Sequence, residues 1–179
     1  IANLDISEIK ASSRKYPGIT FSQERDAGSQ VLNVDNLTAS NQDGMLFKNI
    51  SFVVNKGDKI AFISRNSVAL TAFFEILSDN MKADKGDVVY GTTISTAYLP
   101  NENHSFFEEK LGLIDWLRQY VQTEEEREEV YLRTFLGRML FTGEEALKTA
   151  NVLSGGEKVR CMLSRMMLAK GNLLLMDEP

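Results

Sequence analysis

The rhythm of apolar and polar positions changes along the chain. Short β-type runs come first, at residues 31–34, 46–54 and 59–64, with Gly57-Asp58 supplying a turn before the third. Leu70, Phe73, Phe74 and Leu77 then recur at i, i+3, i+4 and i+7, which predicts a helix over 69–77 directly after the 59–64 strand. Residues 87–90 and 95–99 read as two more strands, parted by Gly91 and closed by Pro100. The front half is therefore β-rich, with one strand, tight loop and helix unit inside it.

The back half has helical spacing. Thr123 followed by Glu126 has the pattern of a capping box, and Leu132, Phe135, Leu136, Met139 and Leu140 continue the helix, with Gly143 expected to end it. Residues 124–129 hold five glutamates and Arg127, the composition of a solvated helix face. After Gly155-Gly156, Val159, Leu163, Met166 and Met167 mark an amphipathic helix that stops near Gly171. The run Leu173-Leu174-Leu175-Met176 then has the texture of a buried strand of a parallel α/β sheet. Met162, Met166, Met167 and Met176 read as core filler. Residues 1–30, with Ser12-Ser13, Pro17-Gly18 and Ala27-Gly28, show no sustained period and read as a linker entering the domain.

Composition narrows the classes. A chain of 179 residues with 43% apolar and 25% charged residues fits one globular domain, not a disordered or fibrous chain. A net charge of −5 argues against a surface built wholesale to coat nucleic acid. No apolar stretch approaches the roughly 18 residues of a membrane span, and Asp5 and Glu8 spoil a signal-peptide core, so the expectation is a soluble, cytoplasmic chain. With one cysteine, Cys161, and one histidine, His104, no Cys/His metal site is expected. Cys161 reads as a buried thiol and His104 as an exposed loop residue. The chain starts at Ile1 and stops at Pro179 straight after a strand pattern, which suggests a piece of a longer protein.

The chemistry concentrates in two phrases one helix apart, Leu153-Ser154-Gly155-Gly156-Glu157 and Met176-Asp177-Glu178-Pro179. Ser154 can cap the following helix while the Gly155 and Gly156 amides face an anion with no Cβ in the way, which suits a phosphate or, more plainly, an ordinary N-cap. Asp177, at the end of an apolar strand, suits a Mg²⁺ ligand, and Glu178 suits orienting or deprotonating water, the placement phosphoryl transfer needs. The alternative is a pair of solvent-facing acids after a strand.

These phrases resemble the signature and Walker B motifs of ATP-binding cassette proteins. The phrases Leu117-Arg118-Gln119-Tyr120, residues 135–141 and residues 154–163 resemble the ABC-F group, in its YkpA/YbiT-like branch. The resemblance implies an α/β fold, a P-loop NTPase-like ABC cassette with an antiparallel β subdomain and a helical subdomain. The cassette would occupy 31–179 with its helical subdomain at about 105–152, truncated after Walker B, and residues 1–30 would end the linker between two cassettes. It further implies ATP and Mg²⁺ as cofactors, ATP hydrolysis, a second cassette on the same longer chain as head-to-tail partner, and action on the ribosome in translation.

One motif departs from the family pattern. The expected phosphate loop, G-x-x-x-x-G-K-[ST], falls on Ser64, Arg65, Asn66, Ser67, Val68, Ala69, Leu70 and Thr71. Ser64, Ser67 and Ala69 stand where glycines belong, and Leu70 replaces the lysine. Only Thr71 keeps its type, as a Mg²⁺-side hydroxyl. Losing that lysine removes a charge-assisted contact worth roughly 1.5–3 kcal/mol. Asn101 stands at the Q-loop glutamine position, and Asn41 near the place of an adenine-stacking aromatic. The expected nucleotide contacts are residues 64–71, Asn101 and Ser154, Gly155, Gly156 and Glu157, with Thr71 and Asp177 at the metal and Glu178 the candidate catalytic base. Four roles remain open on the sequence: a half that completes its partner's ATP site, a working ATPase half, a nucleotide-independent scaffold that keeps the cassette fold as a ribosome- or partner-binding shape, and an ABC transporter subunit.

Overall fold

The computed structural model describes residues 16–179; the part of the expected linker at 1–15 lies outside the described residues. Strands β1 (Gln30–Asn41), β2 (Gly44–Asn55) and β3 (Lys85–Tyr90) form an antiparallel sheet in the order β2-β1-β3. Asn41 accepts a hydrogen bond from the Asp43 amide at 2.9 Å, which closes the turn between β1 and β2. Helix α1 (Ser67–Leu77) lays Phe73, Phe74 and Leu77 on the inner face of this sheet, where the Phe73 ring meets Phe47 and Phe52 at 5.8 and 6.0 Å between centroids.

A second, parallel pair is made by β4 (Thr96–Leu99) and β5 (Leu173–Met176), with Thr96 opposite Leu173 and Leu99 opposite Met176. Alternate side chains of a strand point to opposite faces. Tyr98, Leu173 and Leu175 therefore join the core shared with α1, while Ala97, Leu99 and Met176 join the helical core. That helical core is built from α2 (Leu113–Arg118), α3 (Glu124–Arg127), α4 (Glu129–Arg138) and α5 (Gly155–Ala169), with 3-10 turns at His104–Phe107, Gly143–Leu147 and Ala150–Val152. Trp116 stacks on Phe107 at 4.9 Å and donates its indole N–H to the Phe106 carbonyl at 2.6 Å, so its polar end is satisfied while its ring is buried. Cys161 is fully buried, and burial pushes its thiol up to about 12. Met162, Met166 and Met167 are buried in the same core, as their spacing predicted.

Three local expectations are corrected. Residues 59–64 do not form a strand. A cavity of about 490 Å³ lies between Lys59, Ile60 and Phe62 on one side and β5 on the other, so their backbone groups have no ladder to join. Phe62 anchors the segment by packing on Phe73 at 4.8 Å, while Ile63 is 95% exposed. The helix expected from Thr123 onward is broken at Glu128, whose ψ of 136° is extended, and it ends at Arg138, with Met139 as its cap and Leu140 at a left-handed φ of 66°, ahead of Gly143. The glutamate run is not wholly solvated, because Glu126 is 7% exposed and accepts from the Lys170 ammonium at 2.5 Å. Burial pushes the Glu126 carboxyl up, but the bonds from Lys170 and the Gln122 amide outweigh it and hold it below the usual range.

Residues 16–29 cross both cores as a bonded strap. The Gly18 amide donates to the Arg138 carbonyl at 2.7 Å, Glu24 to Lys170 at 3.1 Å, and Gly28 to the Thr93 hydroxyl at 3.1 Å. Phe21 packs against the helical core.

Candidate functional site

The register of β4 and β5 builds the first half of the site. With Leu99 opposite Met176, the Asp177 amide donates to the Leu99 carbonyl at 3.0 Å, so the acids that follow β5 sit beside the turn that follows β4. Thr71, one turn into α1, donates its hydroxyl to Asp177 Oδ2 at 2.8 Å. Asp177 is 1% exposed, and its Oδ1 has no hydrogen-bond partner. A buried carboxylate oxygen without a partner is costly, and here it belongs to the same carboxylate that takes the Thr71 hydroxyl. Asn101 donates to Glu178 Oε2 at 3.2 Å; both are exposed, and Glu178 holds a left-handed φ of 48°, a strained backbone for a residue with a Cβ.

Thr71 and Asp177 fit a hydrated Mg²⁺, which takes one or two protein oxygens and completes its shell with water and phosphate. Among the described residues no group of three or more His, Cys, Asp or Glu is placed to hold a metal alone, so nucleotide oxygens would have to complete the set. Bound there, the ion would offset charge on the phosphates. Behind the pair, Tyr98 donates to Glu75 Oε1 at 2.9 Å. Burial first, then the Glu75 bond and the charges of Glu75 and Asp177, push the Tyr98 phenol far up, so it stays a proton donor.

The loop before α1 is closed on itself. Asn66 caps the helix by accepting from the Ala69 amide at 3.3 Å, its carbonyl accepts from the Leu70 amide at 3.2 Å, and its own amide donates to the Ser64 hydroxyl at 3.0 Å. The N-cap, third and fourth amides of α5 are bonded internally in the same way, so what opposes a phosphate cradle here is the side chains of Ser67, Val68 and Ala69 where glycine would leave room. Leu70, at the lysine position, packs against the core of α1 and the first sheet. The adjoining cleft, about 410 Å³, is lined by Asn41, Ser67, Val68, Thr71, Glu75 and Asn101 among others, with no Lys, Arg or aromatic residue among its lining. Arg65 is exposed and is not part of that lining.

The second half is the start of α5. Ser154 caps it in a reciprocal capping box. Its hydroxyl accepts from the Glu157 amide at 3.4 Å, and Glu157 Oε2 accepts from the Ser154 amide at 2.8 Å and its hydroxyl at 2.7 Å. Lys148 donates to the other carboxylate oxygen at 2.7 Å. The Lys148 bond, followed by those from Ser154, lowers the Glu157 carboxyl to about 2. Ser154, Gly155 and Gly156 are exposed, and a Cβ added at either glycine would meet no atom within 4 Å. By contrast, a Cβ at Gly171 would stand 2.8 Å from the Ala97 amide nitrogen. Internal packing therefore accounts for Gly171 and not for Gly155 or Gly156.

The structure thus brings Thr71, Asp177, Asn101 and Glu178 together, and separately Ser154, Gly155, Gly156 and Glu157. Among the described residues no hydrogen bond or ion pair joins the two groups. His104 is exposed, 3.9 Å from Glu108, and belongs to neither. Lys148 carries no motif or periodicity that would have marked it in the sequence, and its role comes only from a contact nine residues away.

The pattern of the ABC transporter family matches residues 47–179, most of the chain. The chain belongs to the ABC transporter family. The cassette is 49% identical over 180 residues to the uncharacterized ABC transporter ATP-binding protein YkpA of Bacillus subtilis, and 34% identical over 179 residues to the probable ATP-binding protein YbiT of Escherichia coli O157:H7, in each case over 100% of this chain and 33% of the relative. It is 30% identical over 158 residues to the energy-dependent translational throttle protein EttA of Escherichia coli K12, over 85% of this chain and 27% of the relative. These relatives are ABC-F proteins, as the flanking phrases indicated. The cassette spans about a third of their length. Among solved structures it matches a dimeric ATP-binding cassette in a post-hydrolysis state bound to ADP and Pi (TM-score 0.63, 14% identity, 81% of this chain and 72% of that one). It also matches cbiO1 from Clostridium perfringens (TM-score 0.56, 18% identity, 85% and 66%). At such identities these matches establish the cassette fold, the α/β architecture expected from the motifs. No described helix is long and apolar enough to cross a membrane.

Proposed function

We propose that this chain is the cassette of a cytoplasmic ABC-F translation factor that supplies its signature, Ser154 to Glu157, to the ATP site of a partner cassette, while its own phosphate loop contributes little. The observation that carries the reading is the contrast between the two helix starts. At α5 two exposed glycines have no internal reason to lack a Cβ, so close approach from outside is what their absent side chains permit. At α1 the cap is followed by Ser67, Val68 and buried Ala69, each with a Cβ, and the position expected to hold the lysine is Leu70, packed on the core. The relatives are about three times as long as this chain, which leaves room for a second cassette, and the name of EttA, a translational throttle protein, supports a role in translation. In the two-cassette protein, Ser154→Arg is expected to abolish ATP turnover while Leu70→Ala changes it less than about twofold. Equal losses from both substitutions overturn the reading.

A second reading has its own observation, the unpartnered Asp177 Oδ1 beside the Thr71 hydroxyl. It makes this half a working ATPase site in which Thr71 and Asp177 hold Mg²⁺ and Glu178, steadied by Asn101, orients water. Calorimetry of this chain with Mg-ATP separates the two. Binding tighter than about 100 μM favours the working site, and no binding at millimolar ATP favours the signature donor.

A further inference from the structure

Ser154 has one hydroxyl proton, and in this structure that proton is committed. It lies along the 2.7 Å bond to Glu157 Oε2, the same oxygen that accepts from the Ser154 amide at 2.8 Å. A hydroxyl donating to a carboxylate cannot donate to an approaching phosphate until it turns away, so Glu157 and a phosphate compete for one donor. The strength of the carboxylate as acceptor is set in turn by its other oxygen, which takes the Lys148 ammonium at 2.7 Å. Glu157 is 13% exposed and Lys148 39%, so the carboxylate is sheltered while the ammonium remains open to solvent. Lys148 is itself fixed by its backbone. Its carbonyl accepts from the Leu113 amide at 3.0 Å, and Ala150 donates to Leu111 at 2.8 Å, which pins this loop to the start of α2.

We infer that Lys148 is a positioning residue for the signature: by holding Glu157, it weakens the grip of that carboxylate on the Ser154 hydroxyl and frees the serine to donate to phosphate. The inference rests on the signature-donor reading and adds a residue to it. An ammonium beside a carboxylate draws electron density toward itself, so the second oxygen becomes a poorer acceptor. It also cancels a negative charge that would otherwise face an incoming triphosphate. The low pKa of Glu157 agrees with this, since the group remains ionised and bonded throughout the neutral range.

The two partners of this ion pair should therefore act with opposite signs, which a purely structural ion pair would not produce. In the two-cassette protein, Lys148→Met leaves Glu157 as an uncompensated carboxylate and is expected to raise the apparent KM for Mg-ATP by about two- to fivefold. Glu157→Gln weakens the competing acceptor and is expected to lower it or leave it unchanged. In the Glu157→Gln background, Lys148→Met is expected to have no further effect, and Lys148→Arg is expected to keep wild-type behaviour. Melting temperatures of the same proteins separate folding from function, because Glu157→Gln keeps a capping-box acceptor but loses the ion pair with Lys148, a stability change read independently of KM. If Lys148→Met lowers stability too far to assay, Lys148→Gln replaces it at the same open position. Shifts of KM in the same direction for both single variants overturn the inference, as does a Lys148 effect that persists without Glu157. Ser154→Arg serves as the control. If it leaves turnover intact, the signature-donor reading fails. If it abolishes turnover while the Lys148 and Glu157 variants move together, only the role of Lys148 fails.

Discussion

Two helix starts in this cassette are built from the same device and put to different use. Both α1 and α5 have a polar N-cap, Asn66 and Ser154, whose side chain accepts from an amide three residues on. At α5 the cap is followed by Gly155 and Gly156, exposed and free of any neighbour that would resist a Cβ. At α1 it is followed by Ser67, Val68 and buried Ala69, and then by Leu70 turned toward the core. The same amides, at the cap and at the third and fourth positions, are bonded internally at both ends, so hydrogen bonding does not distinguish them. What separates them is the pair of missing side chains at one end and the missing cation at the other, not the presence of a helix dipole, which both share.

The largest expected effect comes from rebuilding the weaker end in the image of a phosphate loop. Ser64→Gly, Ser67→Gly, Ala69→Gly and Leu70→Lys together are expected to raise the Mg-ATP affinity of this chain by about ten- to a hundredfold in calorimetry. No gain would mean that the closed loop, not the residue types, limits binding. A smaller effect sharpens the comparison from the glycine side. Gly171→Val forces a Cβ against the Ala97 backbone and is expected to cost about 1–3 kcal/mol in denaturant melts, whereas Gly155→Val is expected to stay within about 0.5 kcal/mol. Comparable losses would show that Gly155 is needed for packing after all.

The smallest effect concerns acid. The folded pKa of Glu157 lies below its unfolded value, so its contribution to stability is complete above the ordinary carboxylate range and is lost as pH falls from about 4.5 toward about 2. Glu157→Gln is expected to lose less melting temperature than the wild type across that window. An identical acid slope in both proteins would remove the Lys148 pairing as a source of stability.

Much of the site was legible in the residues. Leu153 to Glu157 and Met176 to Glu178 resemble the signature and Walker B phrases, and the structure places the first at a capped helix start and the second directly after a strand, while Leu70 stands out as an apolar residue where the family pattern has lysine. The strand expected over 59–64 did not form, although its composition is β-like, because a strand exists only where a neighbour supplies the ladder and here a cavity stands in its place. Glu126 looked solvated within its acidic run, yet it accepts from Lys170, a residue 44 positions away that no local pattern connects to it.

By itself, the sequence determined what each helix start and strand end can do chemically, since hydroxyl, carboxylate, glycine and lysine differ in donors, charge and bulk wherever they stand. Tertiary structure alone decided which of them meet. The register of β4 against β5 put Asn101 beside Glu178, and α1 packing on the first sheet brought Thr71 to Asp177 across 106 residues. Lys148 reached Glu157 because the loop before α5 is pinned to α2. Such contacts arise when separate apolar faces are buried together, and polar groups far apart in the chain become neighbours as a result.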